Sequence, residues 1–172
     1  GDTPSENGHA WLPVAHGYVQ GWVAADLVED AGASSEPCNG STWLSVTELF
    51  DLVRATGAEP GLDRIMVAAA LTESNGNTTV VGDGGHSIGL WQMHDQGLGA
   101  GMTVADRSTP AIACATMLPH FARSYASWMG RGLDGEELAV QTYLWTERPF
   151  QFNTSGSAAE VAFRKQWQRT GE

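Results

Sequence analysis

The sequence predicts an α+β protein that is mostly helical, with a small β-hairpin in its main body and a short β segment before it. Helix-capping pairs recur along residues 38–172. A glycine-rich turn lies between two short extended runs at 78–93, which is typical of a hairpin. Residues 11–28 hold β-branched and aromatic residues in short runs broken by glycines, a pattern that favours strands.

Residues 1–30 form the predicted N-terminal β segment. Within it, Tyr18–Val28 reads Tyr-Val-Gln-Gly-Trp-Val-Ala-Ala-Asp-Leu-Val and resembles the last strands of a bacterial SH3-like domain. About 28 residues cannot bury a core alone, so the segment is interpreted as part of such a domain or as a hairpin packed on the main body. Residues 31–37 are small, polar and helix-averse and predict a linker, which leaves 38–172 as the main domain.

Composition and charge exclude several classes of protein. With 42% hydrophobic residues and seven Trp, the chain is too apolar to be disordered throughout. A formal charge of −11 argues against nucleic acid as a partner. The longest apolar run, Ile65–Leu71, is far shorter than the roughly 20 residues of a membrane-spanning helix, so no membrane span is expected. We also expect no cofactor and a monomer. A start at Gly1 without a leader pattern indicates a processed product or a fragment.

The first two helices have clear start and stop signals. Ser45 and Glu48 form a capping box that opens a helix ending near Gly57. A second helix is predicted over residues 62–73, because the Asn75-Gly76 pair that follows is typical of a helix end.

Three further helices are predicted after the hairpin. Thr109 and Pro110 are an N-cap and first-position pair, and Pro119 is expected to kink or split the helix that they begin. The next helix is predicted to begin at a capping pair formed by Asp134 and Glu137, and the last at the pair formed by Ser157 and Glu160.

Glu73 is the strongest candidate for a catalytic residue. At helical spacing it shares a face with Met66, Ala69 and Ala70, so its carboxyl group leans from an apolar stripe at the end of the second helix. Partial desolvation is the condition for a carboxylic acid that donates a proton to a leaving group near neutral pH.

Three segments around Glu73 carry a family resemblance: Ala70–Asn77 with a Glu-Ser pair, Gly82–Met93 with a Gly-Leu-Trp-Gln run, and Ala139–Tyr143. Together they resemble the lysozyme-like superfamily, and in particular the lytic transglycosylase and goose-type lysozyme branch found in phage endolysins and tail lysins. The resemblance covers about residues 60–148. It implies a lysozyme-like helical domain that acts on peptidoglycan.

The resemblance also implies roles for individual residues. Glu73 would be the acid and base that cleaves the β-1,4 glycosidic bond between N-acetylmuramic acid and N-acetylglucosamine. Ser74 would orient that carboxylate or an N-acetyl group, Gln92 would bind saccharide, and Tyr143 would lie in the cleft near the scissile bond. The family often continues Tyr-Asn-Ala-Gly, whereas this chain continues Tyr143-Leu144-Trp145-Thr146, which makes Tyr143 the weaker assignment.

Further substrate-binding candidates lie around the predicted hairpin. Asp83 and Ser87 are polar residues of its turn, and Trp91 would either stack on a sugar ring or pack in the core. A muramidase would need a second carboxylate, for which Asp83, Asp95 and Glu147 are the candidates. A lytic transglycosylase needs none, because the C6 hydroxyl of the sugar attacks and leaves a 1,6-anhydro product. Either enzyme would act outside the cytoplasm, in the cell wall or on a phage particle.

Other functions stay open from the sequence. A cysteine-type endopeptidase or amidase would use Cys38 as nucleophile with His86 or His94 as base. A wall-binding module would keep the fold without the chemistry. A metal site is not expected, because the spacing of the His and Cys residues fits no zinc pattern. Cys38 and Cys114 are either a disulfide or two unrelated thiols.

Overall fold

The computed structural model describes the backbone of residues 11–16 and 19–24 and the full chain at 42–148 and 156–171. Backbone contacts divide the chain into two units, Gly1–Gly40 and Ser41–Glu172. The predicted linker at 31–37 lies outside the described residues, and so does Cys38.

The first unit contains a two-stranded antiparallel sheet. Strand β1 is Trp11–His16 and strand β2 is Val19–Ala24, with Trp11 opposite Ala24 and His16 opposite Val19. The strands predicted at 11–28 are thus present, and the SH3-like origin of the segment stays a prediction.

The second unit is mostly helical with a small antiparallel sheet, which confirms the predicted α+β class. Its described part has six helices: α1 Val46–Ala55, α2 Leu62–Ser74, α3 Val104–Ser108, α4 Pro110–Met129, α5 Gly135–Glu147 and α6 Ala158–Arg169. None of the described helices is long and apolar enough to cross a membrane.

Helix α2 is the centre of this unit. It packs against α1, α4, α5 and α6, and its residues from Ile65 to Leu71 are all buried. An apolar helix surface on every side is typical of a helix surrounded by others. Because α2 is held along its whole length, the position of Glu73 in its last turn is fixed by the core.

The helix ends follow local chemistry, with some differences from the sequence prediction. The capping box of Ser45 and Glu48 is formed. Asp134 precedes α5 but makes no side-chain capping bond, and Glu137 instead accepts a hydrogen bond from Arg164 of α6, so the predicted capping pair there was wrong. The short helix α3, absent from the prediction, begins at a second capping box formed by Thr103 and Asp106.

Pro119 does not split α4, which runs from Pro110 to Met129, so that alternative was wrong, and the kink stays a prediction. Proline removes one backbone N–H and leaves the carbonyl four residues earlier without its helical partner. Both Pro119 and Ala115 are exposed, so water can satisfy that carbonyl.

The predicted hairpin is present and has a third strand. Strands β3 Val81–Gly82, β4 Ser87–Ile88 and β5 Met93–His94 pair in that order, all antiparallel. The buried Arg107 of α3 donates hydrogen bonds to the carbonyls of His86 and Met93 and so ties the small sheet to the helices.

Candidate active site

Glu73 lies one residue before the end of α2. Asn75 follows in the left-handed conformation (φ 51°, ψ 31°) and stops the helix, as the Asn-Gly pair predicts. The Glu73 side chain is only 2% exposed. Its carboxyl group is therefore more desolvated than the helical spacing alone predicted.

Two side chains from the C-terminal end of α5 bind the Glu73 carboxylate. The Tyr143 hydroxyl donates a 2.6 Å hydrogen bond to Oε1, and Arg148 Nε donates a second one to Oε1 at 3.1 Å. Arg148 Nη2 donates to Oε2 and completes a two-point ion pair. The partners of the carboxylate in the described part of the chain are thus all hydrogen-bond donors.

The same contacts act on the two donors. Burial, together with the negative charge of Glu73, raises the pKa of Tyr143 well above its usual range, so the phenol keeps its proton. Burial opposes the charge of Arg148, but Glu73 and Tyr143 together outweigh it and raise the pKa of Arg148. Both side chains therefore keep their protons around neutral pH and remain hydrogen-bond donors.

Glu147 is the second carboxyl group of this site. It is the last residue of α5, and its Oε1 is buried without a hydrogen-bond partner in the described part of the chain. Burial and the nearby charge of Glu73 raise the pKa of Glu147 well above its ordinary value. Glu147 thus holds a proton at pH values where an ordinary glutamate is ionised.

These groups surround a cavity of about 620 Å³, a size typical of ligand sites. Its walls come from the end of α2, the small sheet, the loop after β5 and the end of α5. The lining residues are Thr72, Glu73, Asp83, Ser87, Gln92, Met93, His94, Gln96, Gly97, Leu98, Glu147 and Arg148.

Three of the predicted substrate-binding residues lie in the sheet wall of this cavity. Ser87 donates a 2.5 Å hydrogen bond to Oδ2 of Asp83, which fixes that carboxylate at the turn. Gln92 donates through Nε2 to the carbonyls of Val80 and Gly89, so its amide nitrogen holds the loop together. A side chain at Gly82 would collide with the Gln92 amide oxygen, which explains glycine at that position.

Trp91 was wrongly assigned to the substrate. Its side chain is fully buried, and its indole N–H donates to the carbonyl of Met66 in α2. No ring face is available for a sugar, so the core alternative holds.

Ser74 does not bind the Glu73 carboxylate. Its hydroxyl donates to the carbonyl of Ala70 and accepts from the N–H of Gly76, so it closes the end of α2. Tyr143 does not line the cavity, where it was predicted to lie: it is fully buried and binds the Glu73 carboxylate from behind. Its ring stacks on Phe163 of α6 at 4.4 Å.

Among the candidates for a second carboxylate, Asp83 and Glu147 line the cavity and Asp95 does not. Cys114 is a free, buried thiol, and burial raises its pKa to about 11, so it is not a nucleophile at neutral pH. The candidate nucleophile Cys38 lies outside the described residues.

Residues 50–118 match a family model described as a lysozyme-like domain. The matched segment contains Glu73 and the small sheet and ends before Tyr143. It supports the lysozyme-like superfamily that the motifs predicted. No curated protein and no solved structure gave a significant match to the chain.

Arg148 is a residue of this site that the sequence did not predict. It follows the last residue of α5, 75 positions after Glu73, and it lies outside the matched segment. Five residues along a helix turn through about 500°, so Tyr143 and a helical residue at position 148 would face different sides. Arg148 also follows the end of α5, so its spacing from Tyr143 does not predict the contact.

Proposed function

We propose that this chain is a peptidoglycan-degrading glycosidase, a lytic transglycosylase or a muramidase, in which Glu73 is the catalytic acid and base. The observation that carries the proposal is the Glu73 carboxyl group, buried at the wall of a cavity and oriented by Tyr143. The lysozyme-like match over residues 50–118 supports the reaction class. The partner would be the glycan strands of the wall, which places the protein outside the cytoplasm, as an endolysin or tail lysin would be.

The hydrogen bonds indicate which oxygen of Glu73 would carry the proton. Oε1 accepts from both Tyr143 and Arg148, whereas Oε2 accepts from Arg148 alone. To protonate a glycosidic oxygen, Glu73 must hold a proton, and Oε2 becomes free for it once Arg148 withdraws. The Arg148 side chain is 40% exposed and ends a helix, so a bound glycan strand can displace it without disturbing the core.

Bond cleavage would then follow one of two routes. In both, Glu73 donates its proton to the leaving oxygen while charge develops on the sugar ring. In a transglycosylase, Glu73 next accepts the proton of the sugar's C6 hydroxyl, which closes the 1,6-anhydro ring. In a muramidase, a second carboxylate activates water or forms a bond to the sugar. Asp83 and Glu147 line the cavity, and Glu147 would first have to lose the proton that its raised pKa retains.

Asp83, Ser87 and Gln92 are proposed to bind the saccharide. They lie in the same wall, and backbone or side-chain hydrogen bonds fix all three. Rigid polar groups on one wall of a cavity suit the hydroxyl and N-acetyl groups of amino sugars.

Product analysis tests this proposal. Purified peptidoglycan incubated with the full chain is expected to yield muropeptides that end either in a 1,6-anhydro sugar or in a reducing sugar, and mass spectrometry distinguishes the two. Release of cleaved stem peptides with intact glycan would instead favour the cysteine route. In that case iodoacetamide treatment would abolish activity through Cys38, whereas a glycosidase would be unaffected.

A further inference from the structure

Three metal-ligating side chains meet at one end of the small sheet: His86, His94 and Asp95. The pairing of β4 with β5 places Ser87 opposite His94, so His86 and Asp95, the next residues outward, also face each other. The backbone N–H of Asp95 donates to the carbonyl of His86 at 3.1 Å. The two imidazole rings stack with their centroids 5.4 Å apart and an interplanar angle of 15°.

The donor atoms are close enough to share one ion. His86 Nδ1 lies 2.9 Å from Oδ2 of Asp95, and His94 Nδ1 lies 3.4 Å from Oδ1 of the same carboxylate. One ligand atom from each residue lies within 4.8 Å of those of the other two. Tetrahedral zinc with bonds of about 2.0–2.1 Å separates its ligand atoms by about 3.4 Å. Small side-chain movements would therefore bring the three groups into one coordination sphere.

Two further contacts bear on whether a cation could bind here. Asp95 Oδ1 is buried and accepts no hydrogen bond from any described residue, which is unusual for a carboxylate oxygen. The backbone N–H of Gln96 donates to His94 Nδ1 at 3.1 Å. A metal bound there would replace this hydrogen bond.

The surroundings favour a rigid and accessible site. Both imidazoles are partly exposed, at 52% for His86 and 41% for His94. Buried Arg107 holds the carbonyl of His86 from the side of the helices. The backbone that carries the ligands is thus fixed, while the ligand atoms remain open to solvent.

We propose that His86, His94 and Asp95 bind a divalent transition-metal ion, with Zn²⁺ the best match. Two imidazoles and one carboxylate suit zinc and its neighbours, whereas calcium and magnesium prefer oxygen ligands alone. Water would complete the coordination. Because His94 also lines the cavity, the ion would stiffen the wall of the cavity that holds Ser87. This site does not depend on the proposed glycosidase activity.

Calorimetric titration of the full, EDTA-treated chain with ZnCl₂ tests the site, and the absorption spectrum of added Co²⁺ is a second readout. We expect saturable binding of Zn²⁺ and cobalt bands in the visible region. His86→Gln and Asp95→Asn should each weaken zinc binding by about tenfold or more, and His120→Gln on α4 is the matched control with wild-type affinity.

Other histidines of the chain could bind zinc by themselves, so the comparison between variants decides the result. Equal zinc affinity in wild type, H86Q and D95N would overturn the proposal, and so would the absence of saturable binding in the wild type. Circular dichroism in EDTA checks that each variant is folded. If either variant fails to fold, His94→Gln takes its place.

Discussion

The hydroxyl of Tyr143 donates a 2.6 Å hydrogen bond to Oε1 of Glu73, across 70 residues of sequence. The two residues belong to α5 and α2, which pack against each other in the core. This bond joins the segment that matches the lysozyme-like family model to the segment that follows it.

Replacement of Tyr143 by Phe removes this bond and keeps the ring stacked on Phe163. A hydrogen bond to a charged group contributes about 1.5–3 kcal/mol, so the turnover rate on peptidoglycan should fall by about 10- to 100-fold. Loss of the same bond should also lower the melting temperature, so the rates are compared at a temperature at which Y143F is folded. Tyr125→Phe on α4 is the control, and equal rates for Y143F and Y125F would show that the Tyr143 hydroxyl plays no part in catalysis.

Replacement of Arg148 by Gln leaves the Glu73 carboxylate buried without its counter-ion. Breaking a fully buried pair costs about 3–5 kcal/mol, and the partial exposure of Arg148 reduces the expected loss to about 2 kcal/mol. Urea unfolding at pH 7 measures this loss, with the exposed Arg123→Gln as control. The double variant Glu73→Gln with Arg148→Gln should lose less stability than the two single variants lose together, because neither charge is left unpaired. A loss of unfolding free energy equal to the sum of the two single losses would contradict the pairing.

Replacement of Glu147 by Gln should change how stability depends on pH. Burial and the charge of Glu73 raise the pKa of Glu147 above its ordinary 4.5, so folding favours its protonated form. Its contribution to stability is complete below pH 4.5 and is lost as the pH rises through the folded-state pKa.

The glutamine variant has no proton to lose. The melting temperature of E147Q minus that of wild type should therefore increase as the pH rises from acid to alkaline. Scanning calorimetry across that range measures the difference. Glu59→Gln, at an exposed position, is the control. A constant difference between E147Q and wild type at all pH values would mean that Glu147 titrates normally.

Replacement of Trp91 by Phe tests the corrected role of that residue. A smaller ring in the core leaves unfilled space and removes the bond to the Met66 carbonyl, so the free energy of unfolding should fall by about 1–3 kcal/mol. KM for a soluble glycan fragment should not change at a temperature where the variant is folded. A raised KM with unchanged stability would restore the sugar-stacking role.

Much of the fold could be predicted because the signals are local. The capping box at Ser45 and the Asn75-Gly76 pair act within one turn of chain, and the structure has both features. The predicted capping pair at Asp134 failed because Glu137 bonds to Arg164 of a distant helix. Pro119 does not split α4, because Ala115 and Pro119 are exposed and water can satisfy the carbonyl that loses its partner. That exposure depends on how the helices pack and could not be predicted from the proline alone.

The site could be predicted only in part. Glu73 was found from helical spacing and from a motif, both of which are local. Arg148 and the grouping of His86 with Asp95 depend on how distant segments pair, and no spacing rule predicts them. Trp91 could not be assigned from its neighbours, because it lies in the turn between β4 and β5, where no alternation of buried and exposed residues indicates its direction.

The central claim is that the carboxyl group of Glu73 performs the chemistry. The most direct test is the rate at which Glu73→Gln releases muropeptides from purified peptidoglycan, compared with wild type at equal concentration and with circular dichroism to show that the variant is folded. The glutamine side chain keeps the size of glutamate and cannot transfer the proton, so muropeptide release should fall by at least about a thousandfold. Release at a rate near that of wild type by a folded E73Q would contradict the account.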